Sequence, residues 1–430
     1  VRRMWALTAP LLVAGLTQII VNIVDTIMLA RYSTTALGAF ALAAPVYLIA
    51  LVVVRGWATA VQIKVAQAHG AANPAAVAQA VRVGLGTSLL AGAAIGVVLY
   101  AVAEPVLTVL GAPAELIGPG VAYLRVLAFA VPFAAASFTL QSACSGVGVT
   151  RASMYNALLV NAVNLPLGLW LIFSADLGVT GAALATLAAT AAGTTFLLRY
   201  ARARLPKIPG DGLPVAGTLW RIGWPEMSAM GVGYLNEALI AGFAARMGTP
   251  ELAAYRIVDN LLLVVFTVMA SASASVAILA GHEIGAGDHA AAIRWRATGV
   301  RLLLIVYAVP SALVLLGGTT LLTLFTGNAD VVALAWQVVP IAVLSLAPMV
   351  PAMAYGSFLR AHGDTRSVMI ASIAGDYLVL IPLAWLLGLT LGFGLTGIYV
   401  AWIAFTVLLA VLLWRRTRAH VSAEAGRPGT

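Results

Sequence analysis

Charge is the scarcest commodity in this chain: Asp, Glu, Lys and Arg together make up 9% of its 430 residues, against 62% hydrophobic residues. With a mean hydropathy of +1.01, this composition excludes a soluble globular protein, in which about a quarter of the residues are charged. Cysteine is nearly absent too; Cys144 stands alone, which excludes an internal disulfide. No polar block of soluble-domain size interrupts the chain. No glycine-rich phosphate loop follows a strand, and no nucleophile elbow of the G-x-S-x-G type or H-E-x-x-H pair occurs, so neither an ATP-driven pump domain nor a familiar hydrolase site is written here.

What the chain does have is apolar runs long enough to cross a bilayer, which takes about 20 residues as a helix. Their continuity argues for helices, because barrel strands would alternate every second residue. The reading is an all-α integral membrane protein of twelve transmembrane helices, near 5–30, 39–68, 83–109, 120–145, 153–175, 178–200, 218–246, 254–280, 298–324, 332–358, 367–390 and 393–414. The first run is too long and uninterrupted for a cleaved signal peptide, so it is expected to stay.

The formal charge of +9 follows topology. With the N-terminus inside, the basic clusters Arg2 and Arg3, Arg82, Arg151, Arg199 to Lys207, Arg294 to Arg301, Arg360 to Arg366 and Arg415 to Arg418 all fall on one side. This is the positive-inside bias of an inner-membrane protein with both termini cytoplasmic, and it removes the case for a nucleic-acid partner.

The two halves repeat. At the offset that lays Pro10 on Pro225, Ala30 and Arg31 fall on Ala245 and Arg246, Gly70 and Ala71 on Gly285 and Ala286, and Gly148, Thr150 and Arg151 on Gly363, Thr365 and Arg366. A one-residue shift then pairs Gly178, Thr180 and Gly181 with Gly394, Thr396 and Gly397. Matches through Pro, Gly and Arg at one offset mark a duplication. An even number of spans per half makes the repeats parallel, an arrangement common in secondary transporters. The expected division is a six-helix bundle over 1–200, a Pro- and Gly-rich cytoplasmic linker over 201–217, a second bundle over 218–414 and a basic, disordered tail over 415–430.

Polar side chains inside spans are expensive, so each one is a candidate. Asp25 shares a helix face with Asn22 and Gln18. It can be a hydrogen-bonded structural acid near the outer helix end or a reversible site for a proton or sodium ion. Asn161 and Asn164, at i and i+3, precede Pro166, which frees a backbone carbonyl. For either alone, interhelical hydrogen bonding and ion binding are equal readings. By the repeat, Glu237 aligns with Asn22 and Asp376 with Asn161. Asp259, three residues after Arg256, predicts an intrahelical ion pair. Arg55, in mid-span, has no partner that the sequence names. His282, Glu283, Asp288 and His289 fall in a loop without metal-ligand spacing and read as solvated.

Taken together, Pro10, Val24-Asp25-Thr26, Ala66-Gln67 before Gly70-Ala71, Tyr123-Leu124 ahead of Pro132, Gly148-Val149-Thr150-Arg151 and Gly178-Val179-Thr180-Gly181-Ala182-Ala183 resemble the multidrug and toxic compound extrusion (MATE) family over essentially the whole chain. The resemblance implies two six-helix bundles in a V, with a cavity between them. It implies antiport of a proton or sodium ion against small amphipathic or cationic organic compounds, by a protein that is not an enzyme and needs no cofactor beyond the coupling ion. The expected partners are a small-molecule substrate and membrane lipid, and the expected state is a monomer.

It further implies that Asp25 is the principal ion-coupling residue, with Asn161 and Thr186 beside it. Where many members carry an Asp or Asn just before the fifth-span proline this chain has Leu165, and Asn164 can substitute. Gln18, Asn22, Glu237 and Asp376 are the candidate substrate-binding residues. Gly233 stands where the NorM-like branch has a glutamate, which favours a DinF-like arrangement. A lipid-linked oligosaccharide flippase of the same superfamily and a non-transporting membrane scaffold are the alternatives.

Overall fold

The computed structural model describes residues 2–206 and 213–425. The helices run in order α1 (Arg2–Tyr32), α2 (Thr34–Gly70), α3 (Pro74–Val109), α4 (Ala114–Ala128), α5 (Ala130–Gly146), α6 (Arg151–Leu169), α7 (Gly178–Arg204), α8 (Leu213–Met247), α9 (Thr249–Gly285), α10 (His289–Leu322), α11 (Ala329–Ser345), α12 (Met349–Ala361), α13 (Thr365–Gly375), α14 (Ile381–Leu383) and α15 (Gly394–Ala425), with π-helical turns at Trp170–Ser174, Asp376–Leu380 and Ala384–Thr390. Among the described residues, ten helical stretches are long and apolar enough to cross a membrane, and α4 and α5 pass the same test together across a 45° bend. Helix α8 has spanning length, but Asn236, Glu237 and its glycines dilute its apolar character. With it, the helices match the twelve expected spans.

The helices overrun the apolar stretches because they start at capping residues. Ser33 accepts a hydrogen bond from the Ala36 amide, and Asn328 from Asp330 and Val331, so first-turn donors are satisfied outside the lipid-facing run. The duplication shows at this level of detail. Asn73 caps α3 through the Ala76 amide at 2.9 Å, and its repeat mate Asp288 caps α10 through the Ala291 amide at 2.7 Å. Gly84 lies against Val61 as Gly299 lies against Val276. Gly148 and Gly363 both take positive φ, at 85° and 79°, a conformation that costs glycine little. Asp288 is thus a cap that also faces Arg294 at 3.6 Å, and Glu283 accepts from the Trp295 indole at 3.1 Å; these are structural duties.

By packing, the chain falls into two units: Ala9–Met230, and Val1–Thr8 with Gly231–Thr430. The boundaries therefore differ from the expected 200 and 218, because the first turns of α1 and the first half of α8 each belong to the unit formed by the other repeat. In the first unit, α2 packs on α3, α4 and α5, and α6 on α7, around a core that includes Leu29, Tyr47, Leu124 and Ile172. In the second, α9 packs on α10, α11 and α12, and α15 on α11 and α12, around Tyr255, Val338, Ile398 and Phe405; Thr8 is tied into this unit by a 2.9 Å bond to Ser275.

Two expectations about connecting segments change. Helices enter the linker from both sides, reaching Arg204 and restarting at Leu213; positions 207–212 lie outside the described residues. The tail expected to be disordered from Arg415 is helical to Ala425, with 426–430 outside the described residues. The reason is a clasp. Asp364, which caps α13, accepts from Arg416 Nε at 2.7 Å and lies 2.8 Å from His420 Nε2. Burial alone would raise the Asp364 carboxyl, but the bonds from His420, Arg416 and the Ser367 amide overcome it and hold it down at about 2.

A carboxyl held below its ordinary 3.8 stabilises the fold above that value and loses the contribution as pH falls toward 2. Asp364→Asn is therefore expected to lower the melting temperature in detergent by about 2 °C at pH 7, with the gap to wild type closing below about pH 4. A pH-independent gap would show that the clasp is not electrostatic.

Candidate ion-coupling sites

Asp25 lies on the face of α1 that carries Val21 and Met28, at i−4 and i+3, and both of these are buried. The carboxylate is half-buried and, among the described residues, has no hydrogen bond or ion pair. Its charge reaches buried Tyr123 of α4, which in turn lies near Tyr47 of α2. An acid in a spanning helix without a cation partner is unfavourable in the resting fold and is free to take a proton or cation.

Helix α6 stands beside α1. Asn161 Nδ2 donates to the Thr17 carbonyl at 3.3 Å, and Gly168 approaches the Met28 methyl closely. The level of Asp25 therefore falls between these contacts, where the chain has Asn164, Leu165 and Pro166. Asn164 is buried and donates to the Thr186 hydroxyl at 3.3 Å, while Thr186 donates to the Ala182 carbonyl. The Asn164 Oδ1 has no hydrogen-bond partner among the described residues. It is a buried oxygen available to a cation or to a protonated acid.

The expected group is thus assembled in part. Asn164 and Thr186 form a pair near the Asp25 level, Asn161 is committed to α1 two turns below, and none of the three bonds to Asp25 directly. Gln18 and Asn22 are exposed on α1 and make no bond to Asp25; sharing a helix face does not bring them into its environment. Arg55 lies with its guanidinium carbon 5.7 Å from the Phe138 ring centroid.

A second polar centre occupies the unit of the second repeat. Glu237 Oε1 accepts from the Tyr255 hydroxyl at 2.8 Å and stands 3.9 Å from Arg256 NH1. Arg256 was expected to pair with Asp259 along its own helix. It reaches across to α8 instead, leaving Asp259 beside Glu237 with no ion pair of its own among the described residues. Tyr255 stacks on Tyr399 of α15 at 6.4 Å.

Asp376 is buried and opens a π-helical turn, a local widening that often marks functional positions. Buried Asn236 sits next to it, with neither amide atom in a well-formed hydrogen bond. Glu237 and Asp259 therefore share one guanidinium, with the Tyr255 hydroxyl on Glu237, while Asp376 has the Asn236 amide beside it. Such donors suit a hard cation or a shared proton.

Sequence reasoning missed Asn236, Tyr255, Asp259 and Tyr123 as members of these centres. A signal existed for two of them: Tyr255 and Asp259 are i and i+4 on one face of α9. Reading Asp259 as satisfied by Arg256 hid it.

The MatE family model matches residues 10–170 and 230–386. The multidrug resistance protein PmpM of Pseudomonas aeruginosa is 26% identical, over 98% of this chain and 92% of that one. A probable multidrug resistance protein NorM of Bradyrhizobium diazoefficiens is 30% identical, over 96% and 92%. Among solved structures, a MOP superfamily transporter from Pyrococcus furiosus superposes with a TM-score of 0.93 at 17% identity, covering 99% of this chain and 96% of the other. A multidrug resistance MATE family transporter in an outward-facing conformation gives 0.93 at 16%, with the same coverages. Helical spans, internal duplication and these likenesses agree: the chain belongs to the MATE family of multidrug efflux transporters and is not an enzyme.

Proposed function

We propose that this protein is a cation-coupled antiporter that exports small amphipathic or cationic organic compounds in exchange for protons or sodium ions. The observation that carries the reading is the Asp25 carboxylate, half-buried in a spanning helix with no ion pair or hydrogen bond among the described residues. Such a group changes its interaction with the bundle on every cation binding event. The relatives named for multidrug resistance support this substrate class. Cation and substrate need not touch: an occupied Asp25 and a drug-loaded bundle that exclude each other suffice, since a ligand shifts an equilibrium by its differential affinity for two states. The distribution of the basic clusters supports a cytoplasmic position for both termini.

The acids of the second repeat, Glu237 with Asp259 and, separately, Asp376 beside Asn236, are the candidates for a second cation-binding region in this reading. Reconstituted into vesicles, the protein should expel a cationic dye when a proton gradient or a sodium gradient is imposed alone. Absence of efflux under both gradients would reject antiport. Asp376→Asn should slow efflux about tenfold if the second centre is coupled, since a charge-assisted contact is worth roughly 1.5–3 kcal/mol; an unchanged rate would confine coupling to the first repeat.

A further inference from the structure

At the end of α2 far from its Ser33 cap lies a cavity of about 320 Å³, lined by Lys64, Gln67, Ala68 and Asn73 and closed by Val215 and Thr218 of α8. Lys64 is half-buried there. Among the described residues its ammonium has one partner, the Gln67 amide oxygen at 3.1 Å. The charge that acts on it is another cation, Arg221 of α8. Among the described residues, no carboxylate lines the cavity and none pairs with Lys64 or Arg221. Asn73 uses Oδ1 to cap α3, which leaves its Nδ2 as a further donor. Two like charges beside a part-enclosed cavity, with donors and no acidic acceptor, are unfavourable until an anion enters.

The fold does not require these charges. At the repeat-equivalent positions, Lys64 is replaced by buried Leu279, Arg221 by Ala6 and Asn73 by the acid Asp288. The duplication therefore does not reproduce the cationic pocket at its symmetry-related place.

Its depth identifies the class of ligand. A 37-residue α2 is about 55 Å long, against a hydrocarbon core of about 30 Å. Lys64, one to two turns from the helix end at Gly70, stands at headgroup level. We propose that this pocket binds a phosphate group, carried either by an anionic lipid headgroup or by a free phosphate anion. A lysine ammonium and an arginine fork are the usual holders of such a group.

Melting of the full-length protein tests this. One arm adds inorganic phosphate, against chloride at equal ionic strength, to protein in detergent. The other compares nanodiscs of phosphatidylcholine with and without phosphatidylglycerol. A rise in melting temperature is expected with at least one probe; a rise with phosphatidylglycerol alone assigns the headgroup, and a rise with phosphate in detergent assigns the free anion. Lys64→Met and, separately, the exposed Arg221→Met should each weaken that response about tenfold, and Lys64→Arg should retain it.

No rise with either probe overturns the proposal, as does an equal response from wild type and both methionine variants. A response that appears only in Asp211→Asn also overturns it, because the chain's own acid would then be filling the pocket. Dye efflux reads a different site, so failure here leaves the antiport reading standing and failure there leaves this one.

Discussion

Replacing Asp25 by asparagine is expected to bring gradient-driven efflux down to the rate of empty vesicles while leaving the protein at least as stable as wild type. The two halves of this expectation come from the same fact. The Asp25 carboxylate has no bonding partner among the described residues, so removing its charge breaks nothing and relieves the penalty of holding an ion out of water. Asparagine keeps the shape and gives up the ability to gain and lose a cation. Coupling then has no currency on this helix, because a site that cannot change occupancy cannot bias the transporter between states. Efflux in vesicles and melting in detergent, measured on one preparation, decide it. Undiminished efflux would remove Asp25 from the mechanism, and loss of folding would make it a structural acid.

Gly56→Leu should have the largest effect on folding of any single substitution considered. A Cβ at Gly56 would stand 2.7 Å from both the backbone N and Cα of Met227, and 3.0 Å from the carbonyl carbon of Glu226. Here α2 crosses α8 backbone to backbone, and no side chain can rotate out of the way. Buried Glu226 and the Trp57–Trp220 pair at 6.3 Å flank the crossing, so separating the helices would open further contacts. Gly56→Ala is expected to cost about 1–3 kcal/mol, and leucine to prevent recovery of monodisperse protein. Gly233→Ala on α8 is the control, since its Cβ meets nothing within 4 Å. It should be neutral or stabilising by about 0.5–1 kcal/mol, through helix propensity. Size-exclusion profiles and melting temperatures of the three variants compare directly, and a well-folded Gly56→Leu protein would mean that the crossing is looser than drawn.

Much of the architecture was legible along the chain, for a reason particular to membranes. Every backbone polar group in the hydrocarbon must be satisfied within its own helix, so length and apolarity alone mark the spans, and the duplication is visible in Gly, Pro and Arg before any packing is known. Asp25 stood out on the same grounds, as a carboxylate among Val21, Ile23, Ile27 and Leu29. Asn161, Asn164 and Thr186 were legible as polar residues near it, and the structure does set α6 against α1 and join Asn164 to Thr186.

Partner choice between helices was not legible. Arg256 had Asp259 at an ideal spacing on its own helix, yet it reaches Glu237 on α8, because side-chain direction on α9 depends on how that helix is rotated against its neighbour. The tail looked disordered by composition; Asp364, far away in sequence, turns it into helix by receiving Arg416 and His420. The division of the chain into units also departs from the repeat boundaries at Thr8 and Met230, although both α1 and α8 run on unbroken through those positions.

Hydrophobicity, periodicity and duplication act one helix at a time, so a single strand of text carries the spans, the repeat and the expensive acids. Which donor meets which acceptor is decided by rotation and crossing between helices, and these are set where small residues such as Gly56, Gly84 and Gly181 let backbones and side chains approach. That information exists only once the helices are packed.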